Sequence, residues 1–322
     1  MKRPFFVSAV LTAIAIGFRN PANAYIADKV LPRRPVSAEK FSWTEYPLKE
    51  AFQVPDAEVG RTGRVQQLEF GGDEKTSETK DYGLDSPIPN SDINAAREAR
   101  DRKVSTFDPE GTATELLTDT LTNIREVRVA QIIQNPANYS AGRKVTLAGG
   151  DQFSDYANSD PIAVLKEGMN KTLVYRPNTL SMGRSVWSYL SSHPKVVEAV
   201  KGVTDKGIIS IEEFLNLFRD QGLKEVLVGD AFYDVAKPGK AANLQGAWGN
   251  HISLIYKNPV ATPEGGGVTF GFTAEYGNRI AGRIQDDDIG MEGGVRIRVG
   301  EKIKEEICAR DVGYLIRDAV AG

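Results

Sequence analysis

Cysteine and histidine are scarce in this sequence, which excludes much of the chemistry that side chains can perform. Among 322 residues there are one cysteine, Cys308, and two histidines, His193 and His251. One cysteine cannot form an intrachain disulfide or most cysteine-based metal sites. Two histidines leave little material for a zinc site or a catalytic triad. We therefore expect Cys308 to be a small packed side chain and not a nucleophile.

An excess of positive charge is also absent. The 40 lysine and arginine residues nearly balance the 43 aspartate and glutamate residues, and the net charge is −3. A chain whose main role is to bind nucleic acid normally carries a basic excess, so the composition argues against that class. Apolar content of 41% and charged content of 26% are typical of a globular protein with one large or about two ordinary domains.

Three stretches resemble ligand-binding motifs, but each lacks residues that the chemistry needs. Residues 204–214 are similar to the second half of a calcium-binding loop, yet the other ligand positions carry almost no carboxylate. Pro238-Gly239-Lys240 lacks the upstream glycine and the following hydroxyl residue of a phosphate loop. The three aspartates at 286–288 are more typical of a solvated turn than of a cation site. The sequence therefore predicts no enzyme activity, no cofactor and no metal.

The N-terminal region allows two interpretations. Lys2-Arg3, the apolar run 5–18 and Ala22-Asn23-Ala24 together have the pattern of a secretory signal with a small-residue cleavage site. The run is short for a membrane span. The other interpretation, which we favour, is a retained apolar arm that packs on the body of the protein or on another subunit. Six prolines within residues 1–58 and little periodicity predict that this region is an extended arm.

Residues 59–88 are predicted to form a long polar hairpin. Residues 64–70 and 74–82 have the pattern of its strands, and Gly71-Gly72-Asp73 that of its turn. The second strand is polar on both faces, and an isolated ribbon is marginally stable in water. The hairpin is therefore either a solvated loop or held by the surface of a partner. The charged residues expected to contact another subunit are Arg61, Arg64, Glu69, Asp73, Glu74, Lys75, Glu78 and Lys80.

One long amphipathic helix is predicted at 112–135, after a turn at 108–111. Thr112 and Glu115 have the spacing of a capping box at its start, and Asn135-Pro136 ends it. The positions expected on its apolar face are Leu116, Leu117, Leu121, Ile124, Val127 and Ile132. The positions expected on its polar face are Asp119, Asn123, Arg125 and Glu126.

The remainder of the chain predicts an α/β unit followed by a β-rich tail. Within 162–264, helices and short strands alternate, with a strand at 173–175, a helix at 182–190 and a capping box formed by Ser210 and Glu213. Strands are predicted in the tail at 268–276, 279–284, 294–299, 303–308 and 313–319. The charges of the second and fourth of these favour edge positions.

Three sequence blocks accompany this order of parts. The first block is Thr-Leu-Ala-Gly-Gly-Asp-Gln-Phe-Ser-Asp at 146–155, followed by Ser-Asp-Pro-Ile at 159–162. The second is Arg-Pro-Asn-Thr-Leu-Ser-Met-Gly at 176–183 with Leu-Ser-Ser-His-Pro at 190–194. The third is Val-Leu-Val-Gly at 226–229 with Ala-Trp-Gly-Asn at 247–250. Together with the order of parts, these blocks resemble the major capsid protein of tailed bacteriophages, whose fold is named after phage Hong Kong 97, over most of the chain from about Val59 onward.

The resemblance implies an α+β fold with family roles for each part. It implies an N-terminal arm at 1–58 and an extended loop at 59–88 that lies over an adjacent subunit. It implies a peripheral domain at 89–161 and 265–322 with the helix 112–135 as its spine, and an axial domain at 162–264. The subunit would assemble with itself into pentamers and hexamers of an icosahedral shell that encloses double-stranded DNA. The implied location is the virion, after assembly in the host cytoplasm.

Two departures from the family change what we expect. Self-scaffolding members carry a long, charged and helical N-terminal segment, whereas residues 1–58 contain a short apolar run. We therefore expect a separate scaffolding protein, beside a portal and possible decoration proteins. The partners that a lysine cross-link from Lys75 or Lys80 would need cannot be assigned, and we expect no covalent cross-links. The alternative function, suggested by residues 22–24, is an exported periplasmic or surface binding protein.

Overall fold

Two β-sheets and one 25-residue helix organise the chain in the computed structural model. The structure describes residues 6–17, 25–45, 54, 57–59, 61, 63–65, 67, 73–172, 174–202, 207–237, 239–261 and 267–322. The described helices are α1 (Ala9–Gly17), α2 (Ala27–Val30), α3 (Asn90–Asp101), α4 (Pro109–Ile133), α5 (Pro161–Lys171), α6 (Arg184–Ser192), α7 (Pro194–Lys201) and α8 (Ile211–Phe218).

Strands fall into two main sheets and two small ribbons. The strands before the long helix α4 are β1 (Phe6–Val7), β2 (Arg33–Pro35), β3 (Lys40–Glu45), β4 (Asp73–Glu78) and β5 (Lys80–Pro89). Those of the middle region are β6 (Lys144–Thr146), β7 (Thr179–Gly183), β8 (Glu225–Gly229), β9 (Phe232–Asp234), β10 (Leu244–Gly246) and β11 (Ile252–Ile255). The last are β12 (Gly271–Glu275), β13 (Ile280–Asp286), β14 (Gly294–Ile307) and β15 (Gly313–Arg317).

The first sheet is built around the 14-residue strand β14. On one side β13 and β12 lie end to end along it, with Ile280 opposite Gly300 and Glu275 opposite Ile303. On the other side β5 pairs with it over ten residues. The alternating burial of β14 follows from the period-2 geometry of a strand with one covered face. The two tail strands predicted at 294–299 and 303–308 are therefore one central strand, and the expected edge position of the second was wrong.

The second sheet has the order β6-β15-β11-β7-β8. Strands β7 and β11 are buried along their whole length because helices and the first sheet's elements cover both faces. The strand expected at 173–175 was wrong: among its described residues 174 and 175 form a bend, and the strand begins at Thr179. Strand β15 of the tail and strand β6 both belong to this sheet, so parts of 265–322 and 89–161 share a sheet with strands of 162–264.

Much of the N-terminal region folds against the body of its own subunit. Helix α1 contributes Leu11 and Ala15 to a core shared with α4 and β14. Strand β1 pairs with β13, and β2 pairs in parallel with β12. The described residues of the predicted arm at 1–58 therefore pack on the body of their own subunit, one of the two surfaces considered, and they include the helices α1 and α2 beside short strands.

The predicted hairpin 59–88 was wrong in its pairing. Strand β4 does not pair with 64–70, whose described residues 64, 65 and 67 carry no strand. It pairs with β3, with Lys40 opposite Glu78 and Glu45 opposite Asp73. Strand β5 is held by β14. The ribbon is thus β3–β4, and residues 46–72 connect its two strands.

Helix α4 begins earlier than predicted and buries a different face. Its N-cap is Asp108 with Pro109 at the first helical position, so the predicted turn at 108–111 is the first helical turn and the capping box at Thr112 was wrong. Proline fits there because its missing N–H would be unpaired anyway. The end before Asn135-Pro136 is confirmed.

The face that α4 buries is partly polar. Leu121 is buried, but Leu116 is 64% exposed and Ile124 is 43% exposed. Thr114 and Thr118 are buried. The hydroxyl of each is satisfied because it donates to the carbonyl four residues earlier in the helix. Arg125 and Glu126, which the pattern assigned to the polar face, are also buried.

The helix predicted at 182–190 is α6, Arg184–Ser192, and α8 begins at the predicted capping box. Ser210 accepts a hydrogen bond from the Glu213 N–H and the Glu213 side chain accepts one from the Ser210 N–H, which confirms that capping box. His193 caps α7, and its buried ring meets the Ser159 hydroxyl at 2.9 Å. Cys308 is partly buried against the cluster that contains Phe41 and Phe272, consistent with its expected packing role.

Leu116 and Leu121 of α4 should respond differently to truncation to alanine. We expect Leu121→Ala to lower the free energy of unfolding by about 2–5 kcal/mol, because it leaves a cavity in a closed core. Leu116→Ala should change it by less than about 0.5 kcal/mol, because the side chain is mostly in solvent. Denaturant unfolding of the unassembled subunit measures both values. Equal losses would contradict the orientation of α4.

Candidate assembly surface and the charge cluster behind it

The β3–β4 ribbon has one face on the body of the subunit and one face in solvent. Phe41 and Trp43 of β3 pack against Phe272 of β12, with ring centroids 6.2 Å and 6.4 Å away from that of Phe272. All described residues of β4 are exposed except Ser77, which is half-buried. The aromatic contacts therefore hold the ribbon, while β4 presents its charged side chains outward.

The ribbon continues the line of β5 beyond the first sheet. Lys80 lies opposite Ile303 in the β5–β14 ladder. Three residues earlier, the Ser77 hydroxyl donates to the Glu306 carboxylate at 2.6 Å, as the same register requires. Because β14 ends at Ile307, residues before Ser77 extend past the end of that strand. The outer part of the ribbon thus projects beyond the long strand that supports it.

The residues predicted to contact another subunit lie on or beyond this ribbon. Four are in β4 and Lys80 begins β5, while Arg61 and Arg64 lie in the connection between β3 and β4. All seven are exposed. Glu69 lies outside the described residues. The structure thus brings four of the eight onto one exposed strand, and whether they contact a second copy stays a prediction.

Behind the ribbon lies a cluster of charges that sequence reasoning missed. Four arginines and four carboxylates, from five elements and the loop between β12 and β13, contact one another: Asp28, Arg33, Arg125, Arg128, Glu275, Arg279, Glu301 and Glu305. Formal charges in the cluster therefore balance. Charged residues within a helix do not by themselves predict that they are buried. The oppositely charged residues that pair with them lie about a hundred or more positions away in the sequence.

Arg125 is the most enclosed member of the cluster. Its guanidinium donates to Asp28 at 2.6 Å, to the Thr273 hydroxyl at 3.0 Å and to the Leu31 carbonyl at 3.3 Å. Burial lowers the pKa of Arg125, and Asp28 opposes that shift. Neighbouring Arg128 binds both oxygens of Glu305 and lies over the Tyr82 ring at 3.9 Å. These contacts fasten the N-terminal segment and the first sheet to α4.

Arg33 and Arg279 enclose a second carboxylate on β14. Both arginines donate to Glu301, at 2.9 Å from Arg33 and 3.0 Å from Arg279. Arg279 also donates to the Ala15 carbonyl at the end of α1. Burial alone would raise the pKa of Glu301, but Arg33 and Arg279 outweigh it and the net pKa is lowered. This carboxylate therefore remains ionised and holds two N-terminal elements to one strand.

Glu126 joins the N-terminal segment to the segment between β10 and β11, just before the second sheet. Its carboxylate accepts hydrogen bonds from the backbone N–H groups of Ile26 and Ala27, both at 2.8 Å, and from the Trp248 indole at 2.7 Å. Burial raises the pKa of Glu126, although these three donors oppose the shift. The indole ring can approach because Gly229 has no side chain: a Cβ there would lie 2.1 Å from the ring.

The described residues offer no arrangement typical of a metal centre or a membrane span. No group of three histidine, cysteine, aspartate or glutamate residues within them converges as a metal site would. Asp286 of the aspartate run instead accepts from Arg296 and from the Asp288 N–H, as in a strand turn. Within the same residues, no helix has the length and apolar character to cross a bilayer.

Comparison with known proteins assigns the family. The chain is 39% identical over 319 residues to the major capsid protein of Pseudomonas phage JBD67, covering 99% of this chain and 98% of that protein. It belongs to the phage major capsid proteins. The capsid protein of Burkholderia phage BcepMu is 27% identical over 322 residues, covering 96% and 95% of the two chains. No protein-family model matches the sequence.

Solved structures confirm that this capsid protein has the Hong Kong 97-type fold. A phage-related protein of Bordetella bronchiseptica RB50 superposes with a TM-score of 0.73 at 23% identity, over 98% of this chain and 99% of that one. The capsid of Cyanophage P-SCSP1u gives a TM-score of 0.57 at 8% identity, over 98% and 91%. The α+β class follows from the same comparisons, and the chain is a structural component of a virion. The exported binding protein considered as an alternative receives no support.

Replacing Glu126 should loosen the N-terminal segment of the capsid subunit. We expect Glu126→Ala to lower the free energy of unfolding by about 3 kcal/mol or more, since it leaves three buried donors without an acceptor. Amide hydrogen exchange at Ile26 and Ala27 should accelerate in parallel. The control is Glu115→Ala, an exposed site on the same helix, which should change stability by less than about 0.5 kcal/mol. Unchanged protection at the two amides would contradict the role of Glu126.

Acid should lower the unfolding free energy by weakening the charge cluster. In Glu301→Gln, the unfolding free energy should be less sensitive to acid. The pKa of Glu301 lies below its ordinary 4.5 in the folded state. Its stabilising contribution is therefore complete above that value and is lost as the pH falls through the lower folded pKa. Unfolding free energy, followed from neutral pH to about pH 3, should fall less steeply in Glu301→Gln than in the wild type.

The raised pKa of Glu126 makes the unfolding free energy change with pH in the opposite direction. Both the wild type and Glu301→Gln contain Glu126, so its effect cancels in this comparison. The exposed variant Glu115→Gln serves as the control and should follow the wild-type curve. Parallel curves for Glu301→Gln and the wild type would show that Glu301 is not the acid-sensitive member.

Proposed function

We propose that this capsid protein assembles with itself into pentamers and hexamers of an icosahedral shell that encloses double-stranded DNA. One observation carries the contact part of the proposal: the exposed, charged β3–β4 ribbon extends past the end of the strand that supports it. A subunit that presents such an extension offers contact area without enlarging its core. Head-to-tail contacts of this kind close into rings when the rotation between copies allows it.

The parts of the subunit have separate proposed roles. We assign the first sheet, with α4 as its spine, to the peripheral domain and residues 162–264 to the axial domain around ring centres. Strands β6 and β15 join the two because they belong to the second sheet. Many modest contacts suffice for a stable shell, because simultaneous engagement multiplies weak affinities.

The proposed partners follow from the net charge of the chain and from the packing of the N-terminal elements within the subunit. The near-neutral chain suits a wall that contains DNA without sequence-specific binding. The described N-terminal elements are bound into the subunit's own core and sheets, so we assign scaffolding to a separate protein. A portal and a decoration protein complete the proposed set, and assembly takes place in the host cytoplasm.

The proposed contact residues are those of the ribbon and its connection. They are Arg61, Arg64, Glu69, Asp73, Glu74, Lys75, Glu78 and Lys80. The described members carry both signs of charge on an exposed strand and connection, which favours a polar interface whose register is set by complementary charge. Such contacts act on specificity and rate more than on affinity.

Electron microscopy of the purified protein, with and without the candidate scaffolding protein, tests the shell. Uniform hollow particles with fivefold and sixfold clusters are expected. A protein that remains monomeric with every candidate scaffold would contradict the proposal.

Charge reversal in the ribbon should reduce assembly without unfolding the subunit. We expect Lys75→Glu with Lys80→Glu to lower particle yield at least about tenfold, because like charges opposite each other in an interface cost several kcal/mol. The matched control is Lys166→Glu with Lys224→Glu, which makes the same charge change at exposed lysines of the axial unit. Particle counting and thermal melting of the free subunits are the measurements. Equal losses in both pairs would count against a specific role of the ribbon.

A further inference from the structure

One end of the second sheet carries a cation beside every strand. The pairing registers bring the starts of β7, β8 and β15 to this end together with the end of β11. Thr179 lies opposite both Glu225 and Ile255, and Ile255 lies opposite Gly313. Strand β6 begins next to them, because it runs parallel to β15. We call this end the basic edge and define it by Lys144, Arg176, Lys224, Lys257 and Arg310.

Four of these five cations are exposed and form no ion pair with a described carboxylate. They are Lys144, Arg176, Lys224 and Arg310. Lys144 and Arg176 donate hydrogen bonds within the subunit, but their acceptors are uncharged. The fifth cation, Lys257, pairs with Glu225 at 2.7 Å. Most of the positive charge at this edge is therefore left for a ligand outside the subunit.

The opposite end of the same sheet has no such surplus of cations. Within three positions of the strand ends at the basic edge there are six cations and two carboxylates. Within three positions of the other strand ends there are two of each: Arg184 pairs with Asp230 at 3.1 Å, and Arg317 is followed by Asp318. On the first sheet, each of the four cations of β14 also pairs with a carboxylate. The surplus is thus a property of this edge and not of the described surface in general.

The backbone that carries the basic edge is held by hydrogen bonds between neighbouring strand ends. The Asn178 side chain accepts from the Lys257 N–H at 2.9 Å and donates to the Lys257 carbonyl at 2.7 Å. The Lys224 N–H donates to the Asn178 carbonyl at 2.8 Å. Tyr175 and Tyr256, which flank the same segments, stack with ring centroids 4.8 Å apart. The cations are therefore presented from a fixed row of strand ends.

A fixed row of uncompensated cations suits a polyanion of high charge density. Neighbouring strands lie about 4.8 Å apart, so five strand ends span on the order of 20 Å. A DNA duplex carries one charge per about 1.7 Å of its axis, which gives about a dozen phosphate charges over that length. Lysine and arginine bind these phosphates without reading the base sequence.

We propose that the basic edge binds the phosphate backbone of the double-stranded DNA inside the shell, so that this end of the second sheet faces the interior. This inference rests on the proposed shell function and names the surface of the subunit that the DNA meets. The contact is independent of sequence and weak for one subunit, because only a few cations take part. Many copies around one DNA molecule multiply such weak contacts.

Charge reversal at the basic edge tests the contact in the free subunit. Arg176→Glu with Lys224→Glu should weaken the binding of a short labelled DNA duplex at least about tenfold, because two phosphate contacts become repulsive. The plot of log affinity against log salt concentration should become less steep by about two units of slope. Fluorescence anisotropy over a series of salt concentrations measures both quantities.

Two further pairs of substitutions make the test specific to the edge. Lys144→Glu with Arg310→Glu, at the other side of the row, should weaken DNA binding as the first pair does. The matched control is Lys237→Glu with Lys240→Glu, at exposed lysines between β9 and β10, beyond the opposite end of the sheet. The control should change the affinity by less than about threefold, because salt screens charges at that distance. All three variants should melt like the wild type and form empty particles in wild-type yield, since the side chains are exposed.

Empty particles test the direction in which the basic edge faces. A closed shell keeps a long duplex outside, so intact empty particles should leave it unbound at a salt concentration at which free subunits bind it. Particles that bind the duplex as well as free subunits do would place the edge on the outer surface and overturn the proposal.

The remaining outcomes separate this inference from the shell function. Equal DNA affinities of the edge variants and the control variant would overturn the inference while leaving the shell intact. Displacement of the duplex by poly-glutamate at the same concentration of charge would assign the edge to an acidic protein and overturn it as well. Failure of the unmodified protein to form particles would instead contradict the proposed shell function.

Discussion

The burial of Arg125 and Glu126 is the constraint on which the rest of this fold depends. Two adjacent charges of one helix are removed from water, and each must find partners of the right kind. Arg125 finds Asp28, and Glu126 finds the start of α2 and the indole of Trp248. Because these partners belong to the N-terminal segment and to the segment that leads into β11 of the second sheet, one helical turn fixes the position of both. Loss of any partner leaves a buried charge or donor unsatisfied.

This arrangement changes how the extended parts of the subunit are understood. The sequence left open whether the body of the subunit or a neighbour supplies the surface on which the outlying segments are ordered. The structure shows that the described N-terminal elements are ordered by contacts within the subunit. What remains for a neighbour is narrower: the outer ribbon and the connection beyond it. Assembly can then proceed by docking between preformed surfaces, with less ordering entropy lost than if whole arms folded on contact.

Sequence reasoning predicted those features of the fold that depend on local chemistry. The capping box at Ser210 and the stop at Asn135-Pro136 both depend on neighbours within four residues. The family assignment rested on the order of the parts and on short blocks. One of these blocks now has a physical meaning, since Gly229 gives the Trp248 ring its place beside Glu126.

The missed features depend on distant partners. Periodicity placed Leu116 in the core and Arg125 in solvent, yet distant partners such as Asp28 and Glu305 lie against the side of α4 that carries Arg125. The same limit explains the wrong hairpin. Strand β4 has no alternation of apolar residues that would fix its pairing, so the tertiary fold decides that it pairs with β3. The candidate contact residues were located by charge alone.

The parallel pairing of β2 with β12 has a consequence for the timing of synthesis. Arg33 lies opposite Thr273, so the chain must emerge almost completely from the ribosome before the early segment can take its place. Contacts of such long sequence separation form late. The charged side chains of Arg33 and Glu39 therefore find their partners only once β12 and β14 have been made. A chain that stops before β12 cannot close the first sheet over its own beginning.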